Sequence, residues 1–467
     1  MNADILIKNG KVVTPNGILE TSILVNDGRI SGLGSQTDGI TAKKHIDAKG
    51  RYIIPGLVDP HMHFGLRNPK DVINAIKEEW EPETCGAIYG GVTTILVMLC
   101  SKDEYTPMLR ELRDWAKTKS YSNYGFTAVI QNKKHIEEIQ TLFEIGVRGF
   151  KHFFTAFKGI EGEKIGLNCC EEELLCESFE KIAQIGSSAV AMIHAEDSGI
   201  YNYYIDKIKE SGQDGLKAWA DARPNFCEYL RVEFAARLAL EFNLPLHFVH
   251  ISTKESLEII KKYKKLGANI SAEMVPHTIA VPYEKNDEIG VWGKFVPPLR
   301  SQKEIEELWK GIKDGTIEHI SSDHCCYTRE EKEKGGGKFG SIWNPPPGIS
   351  NVMEHWLPVL VTYGVKEGKI DIQGLVKICC ENNAKRFGLF PRKGCIAPGS
   401  DADLVILDID KPYVVDEKFY HGRNKDISIH FGETLYGRPQ TLIVNGETVI
   451  EEGELLRGPN GMFVQCF

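Results

Sequence analysis

The feature that most constrains the fold is a long alternation of strand-like and helix-like segments over residues 53–390. Short apolar runs such as Thr93–Leu99 and Leu246–His250 predict buried strands, and the amphipathic stretch Glu228–Phe242 predicts a helix. Because parallel strands need long crossovers, this order predicts a parallel α/β structure. Its length suits a (β/α)8 TIM barrel. A doubly wound sheet is the alternative, but the Gly-x-Gly-x-x-Gly fingerprint after a first strand is missing.

Both ends of the chain differ from this middle, because they consist of short strand-like segments separated by turn signals. Hairpin-type dipeptides separate these segments at Asn9-Gly10, Asn16-Gly17, Asp27-Gly28 and Asn445-Gly446. We therefore expect a small β-sandwich domain built from both termini. The expected organisation is sandwich over 1–52 and 391–450, barrel over 53–390, and over 451–467 a C-terminal tail whose apolar residues suit a subunit contact.

Composition and charge exclude several classes of function. The 467 residues are 42% hydrophobic and 26% charged, which is ordinary for a soluble enzyme. A net charge of −9 argues against a nucleic-acid or anionic-membrane surface, and no apolar run reaches the roughly 18 residues of a membrane span. The first residues lack a secretory-signal pattern, so we expect a cytoplasmic protein with reduced thiols. The 12 cysteines include no Cys-x-x-Cys pair, which argues against a thiolate zinc site.

The chemistry begins with two histidines, His61 and His63, after an apolar run. Side chains at i and i+2 of a strand point to the same side, about 7 Å apart, and can share one metal ion. Four more candidate ligands follow predicted strands: Lys151, His194, His250 and Asp323. Active sites of (β/α)8 barrels form at that end of the strands, so these side chains predict a two-metal site. Imidazole and oxygen ligands suit zinc, with manganese, cobalt or iron(II) as alternatives.

Lys151 is the unusual member of this set, because an ammonium ion cannot bind a cation. A neutral lysine amine can react with CO2 to form a carbamate, whose two oxygens can bridge two metals. An apolar setting and nearby metal charge can lower the lysine pKa enough for that reaction. The alternative from the residues alone is an ordinary salt-bridged or snorkelling lysine.

An ordered set of motifs through almost the whole chain resembles the cyclic amidohydrolases, most closely the hydantoinase/dihydropyrimidinase family. The motifs are Pro55-Gly56-Leu57-Val58-Asp59-Pro60-His61-Met62-His63, Gly90-Gly91-Val92-Thr93-Thr94, Gly149-Phe150-Lys151, Ile193-His194-Ala195-Glu196, Val249-His250-Ile251-Ser252, Pro297-Pro298-Leu299-Arg300, Ser322-Asp323-His324-Cys325 and Gly399-Ser400-Asp401-Ala402-Asp403-Leu404. Any one motif is weak, but the ordered set is specific.

The resemblance implies a binuclear-metal hydrolase that opens a cyclic amide. It implies that His61, His63, Asp323 and carbamylated Lys151 hold one metal, and that Lys151, His194 and His250 hold the other. A bridging hydroxide would attack the ring carbonyl. Asp323 would take the proton and pass it to the leaving ring nitrogen. The resemblance also implies a small cyclic amide or ureide substrate and a homo-oligomer, a dimer or tetramer.

The chain departs from the family pattern in ways that affect the substrate. Gly65 stands where dihydroorotases usually have a carboxylate-binding arginine, which argues against that activity. Phe157 stands where the family has a tyrosine that hydrogen-bonds the substrate oxyanion, and Thr155 or His152 could replace that donor.

Two further positions correspond to substrate contacts in the family. Val296 replaces a serine that contacts substrate through its backbone, and Asn344 matches an asparagine with a backbone contact to the ring. We expect a hydantoin, dihydropyrimidine or related ureide as substrate. The alternatives are an allantoinase, a hydrolase of an oxidised purine ring and, from another class, a non-catalytic assembly or binding homologue.

Overall fold

The computed structural model describes residues 2–35, 39–159, 162 and 165–466. Its strands are β1 (Asn2–Thr14), β2 (Gly17–Asn26), β3 (Arg29–Gly34), β4 (Thr41–Asp47), β5 (Tyr52–Pro55), β6 (Leu57–His63), β7 (Val92–Leu99), β8 (Asn123–Val129), β9 (Gly149–Phe154), β10 (Val190–Ala195), β11 (Leu246–Phe248), β12 (Ile270–Met274), β13 (His319–Ile320), β14 (His324–Cys325), β15 (Leu404–Leu407), β16 (Pro412–Val414), β17 (Thr434–Tyr436), β18 (Pro439–Val444), β19 (Glu447–Glu451) and β20 (Glu454–Leu455).

The α-helices of the described residues are Val72–Tyr89, Tyr105–Ala116, Lys133–Ile145, Glu172–Ile185, Ser198–Glu210, Gly215–Asp221, Asn225–Glu241, Lys254–Lys265, Asn286–Ile289, Gln302–Lys313, Arg329–Lys332, Val352–Leu360, Ile372–Val376 and Asn382–Arg386. Short 3-10 turns cover Pro276–Ile279, Tyr283–Lys285, Gly290–Gly293 and Glu417–Phe419, and π-helical segments cover Val361–Lys366 and Lys377–Glu381. None of the helices that the structure describes is both long enough and apolar enough to span a bilayer.

One sheet combines strands from both ends of the chain, in the order β20-β19-β18-β15-β5-β1-β2-β3 with β4 beside β1. The hairpin turns at Asp27-Gly28 and Asn445-Gly446 form as the sequence predicts. Their φ angles are 48° and 73° in the first turn and 53° and 74° in the second, the left-handed values that Asn, Asp and Gly tolerate best. The β-rich unit from both termini is therefore present, while its exact boundaries stay a prediction.

The predicted turn at Asn9-Gly10 is wrong, because both residues lie inside the 13-residue strand β1. The pairing with β2 shifts register between Ile7 and Gly10, so the dipeptide forms a bulge. Two distant segments hold β1 together: β4 pairs with its first half and β5 with Lys11 and Val12. These long-range ladders override the local turn preference.

The second sheet is a closed barrel of parallel strands in the order β13-β12-β11-β10-β9-β8-β7-β6-β14. Strands β13 and β14 together fill the eighth position, since β13 pairs with β12 and β14 pairs with β6. Between them, Ser321 N donates to Met274 O (3.1 Å) and Asp323 N donates to His61 O (2.8 Å). The predicted (β/α)8 barrel is confirmed, and Asp323 lies at the interruption of its last strand.

The core lies between the barrel strands and the surrounding helices. Trp80 on the helix Val72–Tyr89 is fully buried, and its ring lies 5.4–6.0 Å from those of Phe64, Tyr124 and Phe126. Edge-on and tilted aromatic contacts of this kind add stability beyond the buried area. They fix the first helix against the strands that carry the candidate site.

The end of the chain packs against the barrel of the same chain. Met462 O accepts a hydrogen bond from Tyr124 N (2.9 Å), and Val464 N donates to Tyr124 O (2.8 Å). Val464 and Cys466 are buried, whereas Leu455, Leu456 and Met462 are exposed. The subunit contact expected for residues 451–467 stays a prediction that rests on these exposed side chains.

Candidate active site

The six predicted metal ligands converge at the carboxyl ends of the barrel strands. The first two lie on β6, separated by one residue. The third lies on β9, the fourth lies on β10, the fifth follows β11, and the sixth lies in the interrupted eighth strand. Each is at most 6% exposed: His61, His63, Lys151, His194, His250 and Asp323. The chain thus buries four imidazoles, a carboxylate and a lysine at one mouth.

Distances between these side chains are those of shared ligands or hydrogen bonds. Asp323 Oδ1 lies 3.1 Å from His61 Nε2 and 3.2 Å from His63 Nε2. Lys151 Nζ lies 3.2 Å from His61 Nε2, and His194 Nδ1 lies 2.9 Å from His250 Nε2. The ligand atoms of His61, His250 and Asp323 all lie within 4.8 Å of one another.

Glu273, from β12, orients His61 and is a residue that the sequence analysis missed. Its Oε1 accepts a hydrogen bond from His61 Nδ1 (2.7 Å), and its Oε2 accepts one from His247 Nε2 (3.1 Å). It also accepts the backbone N–H of His250 (3.3 Å). A carboxylate on Nδ1 leaves His61 Nε2 free to bind a metal. The sequence signal that could have identified Glu273 is its position as an acidic residue near the end of an apolar barrel strand.

Glu196 orients His194 in the same way. Its Oε2 lies 3.0 Å from His194 Nε2 and 3.1 Å from a guanidinium nitrogen of Arg223, and all three side chains are buried. His194 Nδ1 therefore faces His250 across the site. The motif Ile193-His194-Ala195-Glu196 contained this residue, but its spacing alone did not assign the role.

Burial and charge set the protonation states that a metal needs. Burial lowers the pKa of Lys151 to about 8 and that of His63 to about 4. Burial also holds the pKa of His194 and of His250 well below the usual value. Burial alone would raise the pKa of Asp323, but the charges and hydrogen bonds of His61 and His63 hold it well below its usual range. At neutral pH most of these groups are therefore in the form that binds cations.

This donor set fits a divalent-metal centre better than it fits a packed core. Lys151 is fully buried, and its Nζ lies within hydrogen-bond distance of an imidazole nitrogen, His61 Nε2. Among the described residues, Nδ1 of His63 and Nδ1 of His250 have no hydrogen-bond partner. Buried polar groups without such partners are costly unless something else, such as a metal, stabilises the cluster.

Four of the six predicted ligands, all but His61 and Lys151, line a small inner cavity of about 40 Å³ with mostly apolar walls. Its walls include Leu66, Phe153, Phe157, Ile165, Leu167, Phe295, Val296 and Tyr327. Leu66, Ile165, Tyr327 and Pro347 also line an outer cavity of about 1060 Å³. The outer cavity gives a route to the ligands, and the inner cavity has the apolar walls typical of a small-molecule site.

The predicted substrate contacts divide between these cavities. Phe157 and Val296 line the inner cavity, and Asn344 lines the outer one. The Thr155 hydroxyl donates to Glu196 O (3.0 Å), and His152 bonds Ser178 Oγ (2.8 Å) on the outer side of its strand. Both suggested replacements for the oxyanion donor are thus engaged elsewhere in this conformation.

A closed parallel barrel with buried imidazole, carboxylate and lysine groups at its mouth is the arrangement of a barrel enzyme with a candidate metal centre. The chain matches the model of the Amidohydrolase family over residues 52–449, and it belongs to that family.

Individual relatives agree with this assignment. A D-hydantoinase of Ralstonia pickettii is 31% identical over 99% of this chain and 98% of its own length. An allantoinase of Bacillus licheniformis is 29% identical over 97% of each chain. The solved structure of an L-hydantoinase (dihydropyrimidinase) from Arthrobacter aurescens matches with a TM-score of 0.91 at 29% identity, over 99% of this chain and 100% of that one. The predicted resemblance is confirmed, and with it the class, a hydrolase of cyclic amides.

Proposed function

We propose that this protein opens the amide C–N bond of a hydantoin, dihydropyrimidine or related ureide ring. One observation carries the proposal: four of the six predicted ligands line the inner cavity of a barrel that belongs to the Amidohydrolase family, and the other two lie beside them, with His61 Nε2 3.1 Å from Asp323 Oδ1 and Lys151 Nζ 3.2 Å from His61 Nε2. The names of the hydantoinase relatives favour a hydantoin-like ring. An allantoinase is the second candidate, supported by the relative of that name.

We assign one metal to His61, His63, Asp323 and Lys151, and a second to Lys151, His194 and His250. Zinc is the proposed metal, with manganese, cobalt and iron(II) as alternatives. When bound, such cations lower the pKa of water and polarise a carbonyl group. The low pKa of Lys151, about 8, supports its conversion by CO2 to a carbamate that carries a negative charge.

Asp323 is the proposed proton carrier. Its low pKa keeps the carboxylate ionised at neutral pH, so it can accept a proton from the attacking water. Its place in the interrupted strand, at the wall of the inner cavity, lets it return that proton to the leaving ring nitrogen. The product would be an open-chain N-carbamoyl acid or a similar acid.

The chain's other residues hold the ring and exclude water. Phe153 and Phe157 place their rings 5.7 Å and 5.4 Å from that of His194, next to the ligands. We propose that Phe157 and Val296 contact the ring and that Asn344 contacts substrate at the outer cavity; the role of Thr155 stays a prediction. A homo-oligomer and a cytoplasmic location also stay proposals.

The test combines metal analysis with a substrate panel. We expect at least two metal ions per chain, reduced in a His61→Ala variant, and turnover of one ring among hydantoin, dihydrouracil, allantoin, dihydroorotate and xanthine. Dihydroorotate should be a poor substrate because Gly65 offers no carboxylate-binding side chain. Absence of both metal and turnover after reconstitution with zinc or manganese and bicarbonate would leave the non-catalytic homologue as the better reading.

A further inference from the structure

A second cluster of ligand-type side chains lies on the other side of the eighth barrel strand, facing the first helix. Glu83 comes from the helix Val72–Tyr89, His324 from β14, and Cys326 from the residue after β14. They are 2%, 0% and 6% exposed, respectively. We call these three residues the outer cluster, because Asp323 and Cys325 of the same segment line the inner cavity instead.

The spacing of the outer cluster matches that of ligands around one small cation. His324 Nε2 lies 3.1 Å from Glu83 Oε2 and 3.6 Å from Cys326 Sγ. All three ligand atoms lie within 4.8 Å of one another. Tetrahedral zinc with its usual bond lengths holds neighbouring ligand atoms about 3.3–3.6 Å apart. Only small side-chain adjustments would therefore bring all three atoms onto one ion.

The outer cluster also has polar atoms that the rest of the protein does not satisfy. Among the described residues, Glu83 Oε1 and His324 Nδ1 have no hydrogen-bond partner. Among the residues that the structure describes, Glu83 forms an ion pair with His324. Burying a carboxylate beside a partner that is not permanently cationic is costly. A bound cation would therefore stabilise this cluster.

We propose that Glu83, His324 and Cys326 bind a further divalent cation, zinc or another thiophilic ion, with a structural role. Glu83 would bind through a carboxylate oxygen, His324 through neutral Nε2, and Cys326 as the thiolate, with water at the fourth position. Binding would release the thiol proton to solvent. The two negative ligands would balance the charge of the ion, as a buried site requires.

The proposed ion would connect the first helix to the segment that carries the catalytic ligands. Cys326 Sγ lies 3.5 Å from His63 O, and His324 directly follows Asp323. Holding His324 to Glu83 would fix the backbone next to Asp323, whereas Cys326, once a thiolate, would give up the hydrogen bond that its thiol donates to His63 O. The site is independent of the proposed function, since none of its three ligands is among the six ligands proposed for the catalytic metals.

Metal analysis of cysteine variants tests this proposal. The zinc content of the zinc-loaded protein would be measured by inductively coupled plasma mass spectrometry for the wild type, Cys326→Ser and the matched control Cys380→Ser, a buried free cysteine whose thiol also donates to a backbone carbonyl, Pro55 O. We expect one zinc fewer per chain in Cys326→Ser and an unchanged content in Cys380→Ser. Because a serine in the core can disturb folding, Glu83→Gln provides a second, nearly isosteric variant that should also lose one zinc. Equal zinc content in all four proteins would overturn the proposal.

Cobalt substitution separates the two sites. Cobalt bound by a thiolate gives a charge-transfer absorption in the near ultraviolet that imidazole and carboxylate ligands do not give. We expect this band in the wild type, in Cys380→Ser and in His61→Ala, and its absence in Cys326→Ser. A band that survives in Cys326→Ser, or no band in the wild type, would contradict the outer site. Either result would leave the proposed function untouched, because turnover depends on the inner ligands.

Discussion

The two sides of the eighth barrel strand carry similar ligand chemistry but differ in access. Asp323 lines the inner cavity together with three imidazoles, whereas His324 and Cys326 face the first helix in a buried interior. The inner side has apolar walls and an outer cavity that connects it to solvent. Access to a substrate, more than the kind of ligand, therefore separates a candidate catalytic centre from a candidate structural one.

The largest effect should come from the inner side, at Asp323. In Asp323→Asn the carboxylate that binds metal and carries the proton is lost, so kcat should fall by at least about 10²–10⁴-fold. Steady-state kinetics on the ring identified by the substrate panel would measure the loss. A variant that keeps near-normal kcat would remove Asp323 from the mechanism.

A smaller effect is expected at a residue that orients a predicted metal ligand without being a ligand itself. Glu273→Gln weakens the hydrogen bond that orients His61, so metal affinity should fall by roughly 10–100-fold. Chelator competition would measure the affinity. Glu228→Gln is the matched control, because that buried carboxylate bonds Ser252 and Thr253 and no predicted ligand. Equal losses in both variants would indicate general destabilisation instead of positioning.

A charged cluster around Glu433, which contains none of the proposed metal ligands, should respond to pH and not to metal removal. Glu433 accepts hydrogen bonds from His430 (2.7 Å), Tyr363 (3.1 Å) and Lys285. Burial alone would raise its pKa, but His430 and Lys285 lower it to about 2, against 4.5 ordinarily. Since the folded pKa is depressed, the stabilisation is complete above about pH 4.5 and is lost as the pH falls towards 2.

Glu433→Gln should therefore lower the free energy of unfolding by about 2 kcal/mol at neutral pH, after allowance for its partial exposure, and by much less at pH 2. Urea unfolding of both proteins at several pH values gives the difference. The same loss at every pH would show that the charge of Glu433 is unimportant. Chelator should not change the difference, which distinguishes this cluster from the outer one.

The smallest effect is expected from restoring a hydroxyl to the inner wall. Phe157→Tyr supplies the donor that the family resemblance implies, next to His194, and should raise kcat by no more than about tenfold. Kinetics with the best substrate would measure the change, with Phe153→Tyr as the control on the neighbouring ring. A decrease in kcat would indicate that the inner wall needs an apolar face here.

Local sequence determined the features that depend on short-range sterics and on ordered motifs. Asp27-Gly28 and Asn445-Gly446 form their turns because their residues tolerate positive φ wherever they occur. The alternation of strands and helices predicted the barrel, and strand ends predicted which polar side chains meet at its mouth. The six candidate ligands needed only that topology to converge.

Tertiary structure decided the features that depend on partners far away in the chain. Asn9-Gly10 became a bulge because β4 and β5 pair with both halves of β1. Glu273 orients His61 across 212 residues, and Glu83 meets His324 only because the first helix packs on the eighth strand. Hydrogen bonds and ligand contacts are short-ranged, so such pairs exist only once folding has brought the segments together, and no local pattern records them.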